Sequence, residues 1–235
     1  MNLLERYLNG EYESVWRELT AAGNAVRNNP MYDQAAAVAH ETMRRVRRNC
    51  ELLVARLRAH GYQFGVYPDG SSGYYSEGPL VPPSDQTRSE LALLEQRLGP
   101  LPLSLRAFWL EVGSVDFVGA HRLWPTMADP LVVYPPEAAL CDLDMEDEEQ
   151  DLSEPIEAVL APDDLHKDNV SGGSPYGVAL PDLSADFLFL NERHDLFFVP
   201  YLRLAILRWG GFPGLDDQAA PFEPLGGLVE GLEPF

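Results

Sequence analysis

Residues 99–117 read GPLPLSLRAFWLEVGSVDF, and this run decides the fold class. Pro102 suits the first turn of a helix, where its missing N–H would have had no partner. Leu105, Phe108 and Trp109 then recur at helical spacing and share one face. Gly113 supplies a stop that can adopt the left-handed backbone of a helix end. Ser114 to Val118 reads as a strand. Upstream, Thr87 and Glu90 have capping-box spacing ahead of Leu91, Leu94 and Leu98, and Gly99 closes that helix. The unit is therefore helix, turn, helix, strand, with large aromatics facing a sheet. It predicts an α+β protein.

Working outward, short apolar and β-branched runs follow: LVVYP (131–135), PIEAVLAP (155–162), YGVALP (176–181), DFLFL (186–190) and LFFV (196–199). Turn residues divide them, and short connections favour antiparallel neighbours. A last helix is expected from Pro200 to Trp209. Toward the N-terminus the period becomes helical. Ala35, Ala39, Met43, Val46, Cys50, Leu53 and Leu57 make one stripe between Tyr32 and His60. An earlier helix is expected over Leu3–Ala22. The organisation read from these patterns is a helical extension (1–61), a strand and turn connector (62–84), the α+β domain (85–211) and an extended tail (212–235).

Charge narrows the functional classes. The chain has 235 residues, 17 basic and 37 acidic, for a net charge of −20. Residues 1–60 carry 9 basic and 7 acidic side chains, so the rest carry 8 and 30, a balance of −22. Such a body repels nucleic-acid phosphates and attracts basic proteins. The same acidity also serves solubility, and on charge alone the two readings weigh equally. No apolar run is long enough for a membrane span, and MNLLERYLNGEYE is charged too early for a secretory signal. Cys50 and Cys141 lie far apart, which fits reduced thiols and a cytoplasmic protein.

Two segments invite a site. CDLDMEDEEQD (141–151) holds Asp142, Asp144, Glu146, Asp147, Glu148 and Glu149. It lacks the glycine and terminal glutamate of a calcium loop, so a solvated loop is expected first and contact with a basic partner second. LHKDNVSGGSPYG (165–177) brings together His166, Lys167, Asn169, Ser171, Gly172, Gly173 and Tyr176 as a candidate ligand loop. It has no P-loop ending, and a plain hairpin loop whose side chains satisfy local backbone accounts for it better. His194-Asp195 does not make a catalytic pair, because neighbours on a strand face opposite ways. The five histidines have no zinc-protease spacing. No enzyme, cofactor or metal is expected.

Leu94, Glu95, Leu98, Gly99, Leu101, Pro102, Leu105, Phe108, Trp109, Gly113, Val115 and Phe117 together resemble the motif of the SUKH superfamily. That superfamily includes fungal cell-wall assembly regulators and bacterial immunity proteins. The resemblance covers 86–120 and extends in outline to Trp209. It implies a mixed, largely antiparallel sheet flanked by helices, and a protein that neutralises a toxin, often a nuclease. Its motif carries no catalytic residue. Three readings follow. The first is an immunity-type binder of a basic toxin. The second is a regulator or scaffold that binds a protein or small ligand through 165–177. The third is an enzyme using that loop.

Overall fold

The computed structural model describes residues 2–72, 78–124, 126–145, 155–216 and 225–235, with 141–145 described by backbone. Its first helix, α1 (Leu3–Leu8), starts with a reciprocal cap: Asn2 Oδ1 accepts from the Glu5 amide at 2.8 Å, and Glu5 accepts from the Asn2 amide at 3.1 Å. The single helix expected over 3–22 is two. The chain turns at Asn9 and Gly10 before α2 (Tyr12–Ala22). A 3-10 turn (Gly23–Arg27) leads to α3 (Met31–Ala59), whose stripe from Ala35 to Leu57 is buried as the spacing requires.

That burial makes 1–61 part of the body. α3 packs on α1 and α5 (Leu103–Glu111), and the N-terminal helices share one apolar core with everything after them. Polar contacts fix the joint. The Trp16 indole donates to Thr42 Oγ1 at 3.0 Å in the buried interior. Arg27 donates to the carbonyls of Leu101 and Leu183. His40 Nδ1 lies 2.7 Å from Glu111 Oε1.

The strands are short: β1 (Gln63–Phe64), β2 (Leu80–Val81), β3 (Ser114–Asp116), β4 (Gly119–Ala120), β5 (Val132–Val133), β6 (Ile156–Ala161) and β7 (Tyr176–Leu180). They form β1–β4, β2–β3–β5 and β6–β7, and every described pairing is antiparallel. The α+β class stands. The sheets are flanked by helices as expected, and no parallel pair occurs among the described residues. The Tyr134 amide donates to Leu160 at 2.7 Å and joins the three-stranded sheet to the β6–β7 hairpin. The connector at 62–84 is woven into these sheets through β1 and β2. Tyr74 and Tyr75, read as the start of a return strand, lie outside the described residues.

The opening unit forms as its residues dictate. α4 (Thr87–Leu98), α5 and β3 follow in order, and β3 is the central strand of its sheet. Leu94, Leu105, Phe108 and Trp109 are fully buried. The expected capping box is absent, because Thr87 Oγ1 instead accepts from the Ser84 amide at 3.0 Å. Gly113 has φ +89°, and an added Cβ would come within 2.1 Å of the Val81 carbonyl oxygen. Only glycine lets α5 end that close to β2.

Three later expectations change. DFLFL and LFFV make only single bridges, Gly177–Leu190 and Leu188–Phe197. Phe198 already begins α8 (Phe198–Leu202), since Pro200 suits a first turn and buried Asp186 accepts the Val199 amide at 3.1 Å. A π-helical turn (Arg203–Arg208) continues it. Near the C-terminus Leu228 and Phe235 are buried, so 225–235 is not a loose tail. Among the described residues no helix is long and apolar enough to cross a membrane.

Candidate functional site

The candidate ligand loop closes on itself. A short helix, α7 (Asp164–Lys167), is capped by Asp163, whose Oδ1 accepts from the amides of Leu165 at 2.9 Å and His166 at 3.2 Å. Asp163 Oδ2 also meets His166 Nδ1. Gly173 packs so tightly on this cap that a Cβ would fall 2.4 Å from Asp163 Oδ1. The last residue of α7 points inward. Lys167 Nζ lies 2.5 Å from Asp129 Oδ1, with both side chains 0% exposed. It also sits over the Tyr176 ring at 4.4 Å, and the Tyr176 hydroxyl donates to Asp129 Oδ2 at 3.2 Å. Burial first, then the Asp129 charge, pushes the Tyr176 phenol far above its ordinary range.

The structure thus divides the predicted set. Lys167 and Tyr176 are interior, while His166, Asn169, Ser171, Gly172 and Gly173 are exposed. The cation and phenol that would have held a ligand are spent on Asp129. This corrects the ligand-loop reading, for a reason of partner placement: Asp129 is 38 residues away in sequence. His194 faces Glu192 Oε2 at 3.2 Å within a turn, and Asp195 has φ +52°, so no His194–Asp195 dyad forms. Among the described residues no group of His, Cys, Asp and Glu could hold a metal ion.

The acidic segment starts on a helix. α6 (Pro136–Met145) carries Asp142 and Asp144 in its C-terminal part, where a solvated loop was expected. Apolar Ala139 is buried on the side that packs toward α4 and β6. Glu146, Asp147, Glu148 and Glu149 lie outside the described residues. No basic residue occupies the last turn of α6. The helix end presents partial negative charge from its free carbonyls, so carboxylates there are unfavourable.

Most arginines of α3 are taken up within the molecule. Arg48 grips Glu233 with two bonds of 2.8 and 2.6 Å and holds its carboxyl below the usual range. Asn49 exchanges two 2.8 Å bonds with the Glu233 backbone. Arg45 donates to Pro234 O at 2.9 Å and Arg56 to Leu228 O at 2.5 Å. Arg44 and Arg47 pair with Glu41 and Glu51. This basic face is the seat of the C-terminal segment.

Set against protein-family models, curated proteins and solved structures, the chain finds no match. The SUKH resemblance therefore rests on the motif residues between Leu94 and Phe117.

Proposed function

We propose that this chain is a non-enzymatic binding protein that captures a basic protein partner through its acidic body. The observation that carries this reading is the end of α6. Asp142 and Asp144 stand in the C-terminal part of a helix without a cation in its last turn, and the sequence continues through Glu146, Asp147, Glu148 and Glu149. Like charges collected at a negative helix end work against folding of the free protein. A basic partner docked there would relieve both the repulsion and the helix-end field.

Charge elsewhere supports it. The residues after 60 carry a balance of −22 even with Lys167 counted, and that lysine is buried against Asp129. Attraction over this distance raises association rates more than final affinity. The SUKH resemblance points the same way, toward an immunity-type protein and a toxin whose phosphate-binding surface is basic.

The test is binding kinetics against basic toxin domains encoded in the same genome, at low and physiological salt. The expected result is a fast association that slows with salt and slows again when Asp142, Asp144, Glu146, Asp147, Glu148 and Glu149 are changed to their amides. An association rate indifferent to both changes, or no binding to any such domain, would assign the acidity to solubility.

A further inference from the structure

A second feature has the opposite electrostatic character. A groove of about 860 Å³ runs between α2 and the π-helical turn that follows α8. Its body is apolar: Trp16 from α2, Leu204 and Leu207 from the π turn, and Phe197 and Phe235 line it. Three guanidiniums border it, Arg17, Arg203 and Arg208, against one exposed carboxylate, Glu13. Asp186 also reaches the lining but is committed inward to Ser104 Oγ at 2.8 Å and the Val199 amide.

The three cations are not equivalent. Arg203 is fixed, donating from Nε to Phe235 O at 2.5 Å and from Nη2 to Tyr12 O at 3.3 Å. Arg208 pairs with Asp216 at 3.0 Å and lies over Trp209. Arg17 is exposed and has no ion pair or hydrogen bond among the described residues. A π turn widens a helix by one residue per turn and is concentrated at functional sites. Here it supplies one wall and two of the three cations.

We propose that this groove binds a small amphipathic anion: an acyl or aromatic body seated on Phe197, Leu204 and Leu207, with a carboxylate turned toward Arg17. The volume lies within the range of about 300–1,000 Å³ usual for small-molecule sites, and a mostly apolar lining with a few placed polar groups is their usual make-up. A net charge of −20 repels anions at long range. Affinity must therefore come from apolar contact and from short-range bonds to a guanidinium, which suits a ligand with one charge and a large apolar part. A nucleotide or nucleic acid, with several charges, would feel the repulsion far more.

The probe is anilinonaphthalene sulfonate, followed by energy transfer from tryptophan, with uncharged N-phenylnaphthylamine as the comparison and dodecanoate as competitor. The expected result is saturable one-to-one binding of the anionic probe, tighter than the neutral one, and displacement by dodecanoate. Arg17→Gln should weaken the anionic probe about fivefold to tenfold and leave the neutral one unchanged. Ala21→Trp, at an exposed position on the groove wall, should remove binding of both while circular dichroism and melting temperature stay as in the parent. Failure to saturate, full binding in Ala21→Trp, or equal affinity for both probes with Arg17→Gln silent would overturn the proposal. The partner reading is independent, because it concerns α6 and is read by kinetics with a protein.

Discussion

Lys167 is the one lysine of the chain, and folding takes it out of water. A buried ammonium is tolerated only when its charge is matched, and Asp129 and the Tyr176 face do this together. Such a pair is not proof of large net stabilisation, since desolvating both ions offsets much of their attraction. Removing one member is a different matter, because it strands a buried charge. Lys167→Met is expected to cost about 3–5 kcal/mol in urea denaturation. Adding Asp129→Asn should recover most of that loss, since the amide still accepts from Tyr176 and carries no charge. A single substitution within about 1 kcal/mol of the parent would mean that the pair is open to water. Trp109 is the other residue whose loss should be felt throughout. Its ring is fully buried and its indole N–H donates to Tyr134 O at 2.8 Å. Trp109→Ala should cost about 3–5 kcal/mol, as for other large core truncations.

Elements differ in how well their ends are satisfied. α1 has a complete reciprocal cap, and α7 is capped by Asp163. α5 ends on Gly113, where Gly113→Ala must bring a Cβ against the Val81 carbonyl and strain a positive φ as well. That substitution should lower the melting temperature sharply, and a neutral result would mean that β2 can move away from α5. α6 ends badly, on acids. Changing Asp142 and Asp144 to asparagine should therefore stabilise the free protein by about 0.3–1 kcal/mol each at low ionic strength, and less at high salt. The same change should slow capture of a basic partner. A site that is unfavourable alone and useful when bound would show both effects together. Loss of stability from these substitutions would remove the argument from the helix end.

Across the whole molecule the titration of buried carboxyls sets the pH response. Burial pushes Asp186 up to about 7, against the bonds from Ser104 and Val199 and the charge of Arg203, which pull it down. Asp116 and Asp168 are also raised, chiefly by burial. A raised carboxyl holds its proton in the folded chain after the unfolded chain has released it. Its contribution is fully present below the ordinary carboxylate value of 3.8 and is lost as pH climbs to about 7. Growing negative self-repulsion acts in the same direction. Stability measured by denaturation should thus fall between mildly acidic and neutral pH. Asp186→Asn should flatten that fall, and an unchanged slope would put the cause in the surface charges instead.

What the sequence determined by itself was local. The spacing of Leu94, Leu105, Phe108 and Trp109, the prolines and Gly113 specify helix, helix and strand, because these signals act within a few residues. The stripe of α3 is equally legible, as is the −22 balance. Tertiary structure decided what depends on distant partners. It set Lys167 against Asp129 and bent the polar loop shut, although loop composition alone suggested a ligand site. It gave Arg45, Arg48 and Arg56 of α3 to Glu233 and its neighbours near the C-terminus, which composition could not assign to any neighbour. It moved Phe198 and Val199 from an apolar strand pattern into the start of the helix expected from Pro200, because buried Asp186 meets an amide of its first turn and Pro200 fits there. It also assembled the groove from α2 and the π turn, whose facing residues are some 190 positions apart. Hydrophobic period is written in neighbours along the chain, whereas charge pairing and concavity arise only when segments far apart in sequence are brought into contact.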